Sequence, residues 1–317
     1  MKEITGVVVR GINNIYTVVP ENQMMQLSTA SSYFCRIKGK VLNGVRDSYN
    51  PLAVGDRVIA SIHANQEGMI ISKLPRHTSF DRWNAKRSMN QTLVANMDLV
   101  IIMSSVDAPP FRPRFIDRAL VCAQHTPVLI VLNKCDLDFS EAEYERFCLY
   151  ETLEYDIFAM SAFDDSGIKA LRSRLMGKMV AVIGQSGVGK STLVNNLVGG
   201  DIQQKTQEIS QKYQRGRHTT NHALLLDAQG FTIVDTPGMR ELLIPHLDVY
   251  EVADYFPEFR KYRGKCNFQP CLHLHEPDCA VKQAVESGAV HEDRYESYLR
   301  MIASIEMRPE SWESERT

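Results

Sequence analysis

Gly184-Gln185-Ser186-Gly187-Val188-Gly189-Lys190-Ser191 stands between an apolar run, Met179–Ile183, and an amphipathic stretch, Thr192–Val198. The pattern G-x-x-x-x-G-K-S needs a buried strand, a tight glycine-rich turn and a helix in immediate succession. The glycines let successive backbone N–H groups curl toward phosphate oxygens, and the helix N-terminus adds its positive end. Residues 184–192, Gly184 through Thr192, are therefore read as the cradle of a nucleoside triphosphate. Lys190 would reach the β- and γ-phosphates and the Ser191 hydroxyl would ligate Mg²⁺.

The surroundings agree with that setting. Apolar runs at Asp98–Met103, Val128–Leu132, Ile157–Met160, Met179–Ile183 and Phe231–Val234 alternate with helical patterns, such as Ile116, Ala119, Leu120 and Ala123 on one face. Strand–helix alternation predicts a mostly parallel sheet covered by helices on both faces. Residues 1–75 read differently, as five short strands punctuated by Asn-Gly, Asn-Pro and Gly-Asp turns. That density suits an OB-fold-like β-barrel, and an SH3-like barrel would give nearly the same pattern. The expected organisation is a multi-domain α/β chain: barrel 1–75, linker 76–94, nucleotide domain 95–245, and a zinc-binding helical domain 246–317.

Asn133-Lys134-Cys135-Asp136 directly follows the strand 128–132. N-K-x-D at a strand end is the guanine-reading pattern of GTPases. The Asp136 carboxylate can accept both donors of the guanine N1/N2 edge, a pair that adenine lacks. An ATPase reading survives only where this tetrapeptide is accidental. Ser161-Ala162, after the strand 157–160, fits the accompanying element whose backbone N–H meets the guanine oxygen. Asp235-Thr236-Pro237-Gly238 fits D-x-x-G, with Asp235 acting on Mg²⁺ and the Gly238 N–H sensing the γ-phosphate. The guanine elements precede the phosphate loop, which precedes D-x-x-G, so the order is circularly permuted. Because the ends of a compact domain often lie close together, such a rewiring keeps every strand in place. The chain then leaves the nucleotide domain straight after the γ-phosphate sensor.

Cys266-x₄-Cys271-x-His273-x₅-Cys279 supplies three thiolates and an imidazole, the donor set of a closed structural zinc site, with His275 as a competing ligand. The odd total of seven cysteines argues against a disulfide framework and for a reducing compartment. Phe259-Arg260-Lys261-Tyr262-Arg263-Gly264-Lys265, and Arg76, Arg82, Lys86 and Arg87, are basic stretches suited to a phosphate backbone. The net charge of −2 excludes a DNA-coating protein while leaving room for such patches. Neither a signal-peptide h-region nor an apolar run of membrane-spanning length is expected, which points to a cytoplasmic protein.

Barrel, permuted guanine-nucleotide elements and the Cys/His segment, in that order, resemble the RsgA (YjeQ/YloQ) family of ribosome-associated GTPases. The marks are Val94–Asp98, Asn133–Asp136, Gly184–Thr192, Gly216-Arg217-His218-Thr219-Thr220, Asp235–Gly238 and Cys266–Val281. The resemblance implies GTP/GDP, Mg²⁺ and one structural Zn²⁺ as cofactors, and a monomer acting late in small-ribosomal-subunit maturation. Contacts to rRNA from the flanking domains and subunit-stimulated hydrolysis are implied as well. Many GTPases orient the attacking water with a glutamine just after D-x-x-G; here that position is Met239. By the same resemblance His218 substitutes for it, with Thr219 or Thr220 meeting Mg²⁺ and the γ-phosphate; Asn221 stands where the family often has a third threonine. Two alternatives stay open: a GTP-binding RNA scaffold that need not hydrolyse, and a permuted GTPase acting on the large subunit.

Overall fold

The computed structural model describes residues 2–12, 14–38, 51–63, 65–199 and 223–308. His218, Thr219 and Thr220 lie outside the described residues. Strands β1 (Lys2–Ile12), β2 (Ile15–Pro20), β3 (Tyr33–Ile37), β4 (Arg57–Ile62) and β5 (Glu67–Lys73) close a barrel in the order β1-β2-β3-β5-β4. The eleven-residue β1 pairs with both β2 and β4, and its register against β2 shifts between Val8 and Arg10, the bend that lets one strand serve two neighbours. Val8, Val18, Cys35, Val58, Ala60 and Ile70 fill the interior. The order and closure are those of the expected OB-like barrel.

The segment read as a linker forms a β-hairpin, β6 (Ser79–Asn84) with β7 (Met89–Ala95). It leaves little slack, because Arg76 forks onto the fully buried Asp56 of the barrel at 2.7 and 2.8 Å. Ala95 N–H donates to Val54 O at 2.9 Å, and a Cβ on Gly55 would lie 1.9 Å from Ala95 O. The barrel thus sits tightly against the first residues of the nucleotide domain.

That domain is built from β8 (Leu99–Ser105), α1 (Pro113–Ala123), β9 (Val128–Asn133), α2 (Glu141–Thr152), β10 (Asp156–Ala159), α3 (Asp165–Leu175), β11 (Met179–Gly184), α4 (Lys190–Val198), β12 (Leu224–Asp227) and β13 (Thr232–Asp235). The sheet order is β10-β9-β8-β11-β13-β12, parallel except for the edge strand β12. β8 and β11 are buried throughout, with Val100 and Ile102 facing one core and Leu99, Ile101 and Met103 the other. Both guanine-side strands lie to one side of β8 and β11 and the sensor strand β13 to the other. Permutation has altered only the connections. The chain order reverses direction across the sheet between β8 and β11, the crevice where open α/β sheets bind ligands.

Beyond β13 a strap, residues 239–247, leads to two 3₁₀ segments, Val249–Tyr255 and Pro257–Tyr262, and then to α5 (Ala280–Glu286) and α6 (Glu292–Glu306). The strap is clamped. Trp83 N–H donates to Leu243 O at 3.1 Å, Asn90 Oδ1 accepts from His246 N–H at 2.7 Å, and Arg308 donates to Ile244 O and Pro245 O at 2.9 and 3.0 Å. The C-terminal residues Phe256, Phe259, Tyr298, Met301 and Ile302 continue the same hydrophobic core as Ile116 and Ala119 of α1. At that junction the buried Arg294 donates to Asp117 at 2.5 Å and to Glu258 at 2.7 Å, while Tyr150 O–H donates to Asp117 at 2.7 Å. Burial opposes the Arg294 charge, but Asp117 and Glu258 outweigh it and hold its pKa above the ordinary value. No helix among the described residues is long and apolar enough to cross a membrane.

Candidate functional site

The loop after β11 turns on two left-handed glycines, Gly187 (φ +89°) and Gly189 (φ +96°), conformations that side chains with a Cβ rarely adopt. Gly189 is also the N-cap of α4 and makes no side-chain cap bond, so the first-turn N–H groups of α4 open toward the loop. By contrast α2 and α3 are capped by Ser140 and Asp164, whose side chains accept from Glu143 N–H and from Ser166 and Gly167 N–H. Phosphate binding is the use to which an uncapped, glycine-led N-terminus is suited.

Lys190 is buried, and its Nζ donates to Gly184 O at 2.9 Å and Gln185 O at 2.8 Å across the mouth of the loop. Burial pulls its pKa down to about 8, against the opposing pull of Asp235. Asp235 ends β13 beside Val182 of β11; burial raises its pKa and Lys190 lowers it. A Cβ on Gly238 would come 3.2 Å from Lys190 Nζ and 3.2 Å from Ser186 Cα, so the sensor glycine crosses close over the loop. Next to it, Met239 is buried and its backbone is stitched to the loop: Ser186 N–H donates to Met239 O at 3.2 Å and Met239 N–H to Gly184 O at 3.3 Å. Its thioether offers no strong hydrogen bond to a water.

Asn133 joins the two halves of the site. Its Nδ2 donates to Val188 O at 2.9 Å and its Oδ1 accepts from Ala162 N–H at 2.8 Å, all within the protein interior. Lys134, in a left-handed conformation (φ +64°), sends Nζ to Asp107 O and Ala108 O at 2.9 and 2.6 Å. Cys135 N–H donates to Met160 O at 3.2 Å, which leaves the Asp136 carboxylate exposed at the rim. Ser161 Oγ accepts from Phe163 N–H at 3.2 Å, and Asn196 of α4 donates to Ala162 O at 2.6 Å. The structure therefore brings Asn133–Asp136, Ser161, Ala162, the phosphate loop, Asp235 and Gly238 to one end of the sheet. Such a site has a rim carboxylate for a donor edge, a ring of backbone donors for phosphates, and a hydroxyl and a carboxylate for a divalent cation.

The sequence did not point to the turn after β8. Pro109 Cδ lies 3.3 Å from where a Gly187 Cβ would stand, and this turn also supplies both acceptors for Lys134. The signal available for it was position, since β8 borders the crevice. Thr236 is a second omission as an anchor, its Oγ1 donating to Val182 O at 2.6 Å.

In the C-terminal domain Cys266, Cys271, His273 and Cys279 present ligand atoms all within 4.8 Å of one another. His273 Nδ1 lies 3.5, 3.4 and 3.2 Å from the three sulfurs, and Cys279 Sγ lies 3.8 and 3.9 Å from the other two. Tetrahedral zinc with Zn–S bonds of about 2.3 Å separates its sulfurs by about 3.8 Å, so the donor set and its spacing fit. His275 stays exposed and outside the cluster. The turns around the ligands are held from outside: Glu276 accepts from Leu272 and Leu274 N–H, and Tyr295 and Tyr298 donate to His273 O and Leu272 O.

The family model for RsgA GTPase matches residues 73–245. A curated small ribosomal subunit biogenesis GTPase RsgA from Borreliella burgdorferi (strain ZS7) is 36% identical over 300 residues, 94% of this chain and 95% of the relative. The chain belongs to the RsgA GTPase family. The protein of the same name from Chlorobaculum tepidum is 40% identical over 268 residues, 81% of this chain and 86% of that one. Among solved structures, YjeQ from Thermotoga maritima superposes with a TM-score of 0.70 at 31% identity, covering 97% of this chain and all of that one. YloQ, described as a circularly permuted GTPase, gives 0.68 at 26% identity over 97% of this chain and 96% of its own. As a member of the RsgA family the chain is a GTPase, with the permuted order expected of it.

Proposed function

We propose that this GTPase acts in late maturation of the small ribosomal subunit, contacting rRNA and hydrolysing GTP when the subunit engages it. The observation that carries the reading is Asn133, which locks the guanine-side loop to the phosphate loop and so fixes the distance between base and triphosphate. Asp136 reads the guanine N1/N2 edge and the Ser161-Ala162 turn lies beside the guanine oxygen, its Ala162 N–H being held by Asn133 Oδ1. The loop from Gly184 to Thr192 cradles the phosphates, Lys190 pairs with the β- and γ-phosphates, and Ser191 and Asp235 hold Mg²⁺. Gly238 senses the γ-phosphate. Met239 cannot position water, which supports His218 in that role, with Thr219 or Thr220 on the metal.

Cys266, Cys271, His273 and Cys279 hold one Zn²⁺, which would fix the turns that carry the C-terminal surface; elemental analysis would give one zinc per chain. The protein works as a monomer in the cytoplasm, with neither DNA nor membrane as partner. The relatives' shared name and their matching length support the small subunit as partner. Co-sedimentation with purified small and large subunits in the presence of a non-hydrolysable GTP analogue tests it. Pelleting with small subunits alone is expected, and pelleting with large subunits alone would overturn the reading.

A further inference from the structure

A cleft of about 500 Å³ opens where α1, α2, the strap and α6 meet, and six arginines line it: Arg112, Arg114, Arg118, Arg146, Arg240 and Arg300. Among the described residues, Glu241 and Asp293 are the acidic groups on its walls. Arg146 is paired with Asp293, and Arg114 and Arg300 both bind Glu296. The guanidinium groups of Arg112, Arg118 and Arg240 make no hydrogen bond or ion pair with the described residues. In a chain whose net charge is −2, this is a concentrated positive surface. The N-terminal turn of α1, begun by Pro113, opens into the same cleft and adds the positive end of its dipole.

We propose that this cleft binds the sugar-phosphate backbone of an RNA strand, and that its occupancy is felt at the nucleotide through Arg240. The guanidinium fork matches phosphate oxygens bidentately, and a row of such groups from four elements matches a backbone that carries a charge at every step rather than one ion. The nucleotide has its own cradle, so the cleft is a second phosphate surface. Its connection to that cradle is covalent and short. Arg240 follows Met239, whose backbone pairs with Gln185 and Ser186 of the phosphate loop, and Gln185 itself lines the cleft. An RNA phosphate drawn to Arg240 therefore pulls on the residue that seals the γ-phosphate sensor. The proposal rests on the small-subunit reading above and adds a site that lies on the GTPase domain and α6.

The test is binding of the full chain to purified small ribosomal subunits as a function of salt, with GTP affinity measured in parallel. Arg112→Gln/Arg118→Gln should weaken subunit binding on the order of tenfold and make the log–log salt slope shallower by about 1.4, since each single-strand phosphate contact contributes about 0.7. GTP affinity and thermal stability should be unchanged, and Arg112→Lys/Arg118→Lys should restore the slope. Arg240→Gln should cost more in subunit-stimulated hydrolysis than in subunit affinity. An unchanged slope and affinity in the double Gln variant overturns the cleft, and equal losses in hydrolysis and affinity for Arg240→Gln overturn its link to the nucleotide. Failure of the unsubstituted chain to bind small subunits would instead defeat the functional reading on which the cleft depends.

Discussion

Asn133 Nδ2 donates to the carbonyl of Val188 at 2.9 Å, tying the first residue of the guanine element to the middle of the phosphate loop. Because Oδ1 of the same carboxamide takes the Ala162 N–H, one buried side chain ties its own loop to two others. The proposed base and phosphate loops are thereby joined through the protein itself.

Asn133→Ala should leave the buried Val188 carbonyl and Ala162 N–H unpaired, at about 1–3 kcal/mol for each group. Guanine nucleotide affinity should fall by at least tenfold and the melting temperature by several degrees. Gly189→Ala should show a related defect, because its Cβ would stand 2.4 Å from Asn133 Nδ2 at a φ of +96°. Fluorescent-nucleotide titration and thermal melts check both, and an Asn133→Ala protein with native affinity would contradict the coupling.

Asp136→Asn replaces a two-fold acceptor by a group that also donates. GTP affinity should drop about 10- to 100-fold, from two hydrogen bonds to a charged group at about 1.5–3 kcal/mol each, partly recovered by the amide. Xanthosine triphosphate, which carries a carbonyl where guanine has its amino group, should gain in return. Competition titration with the two nucleotides measures the exchange; unchanged preference would return the ATPase reading to contention.

Burial brings Lys190 down to about 8, and triphosphate oxygens at Nζ would raise it again. Above pH 8 the nucleotide must then bring a proton onto Lys190, so affinity should weaken as pH rises, by up to tenfold per unit. Below pH 8 the amine is already charged and this source of pH dependence disappears. Lys190→Arg stays charged throughout and should lack the step between pH 8 and 9. Calorimetry in buffers of different ionisation enthalpy would detect the proton taken up at pH 8.5, and its absence would contradict the assignment.

Arg294→Met should be costly, about 3–5 kcal/mol, because it strands the buried Asp117 and Glu258 carboxylates. Replacing all three charged groups by apolar residues should be far milder, since the desolvation cost disappears with the charges. Urea unfolding measures both, and proteolysis should find the C-terminal domain loosened from α1 only in the single variant.

β8, β9, β11 and β13 were legible because strands buried on both faces are continuous apolar runs, Asn133 and Asp235 because their chemistry demands strand ends, and Lys190 because the glycine-rich loop motif fixes its place at the start of a helix. The four zinc-ligand candidates were legible through local spacing. β12 was not: a four-residue edge strand carries too little pattern beside the turn Ala228–Gly230. The hairpin 79–95 read as a linker because Arg82, Asn84, Lys86, Arg87 and Asn90 make its strands and turn polar, and what holds it is tertiary, Trp83 and Asn90 gripping the strap. Asp117 and Arg294 lie 177 positions apart, and no periodicity connects them. The same holds for the arginines of the cleft, which four separate elements contribute.

The most direct test of the central claim is hydrolysis of GTP and of ATP by the pure protein, each with and without isolated small ribosomal subunits. Slow turnover of GTP alone, many-fold acceleration by small subunits and no comparable ATP hydrolysis are expected. Tight GTP binding with no acceleration by small subunits would contradict the claim.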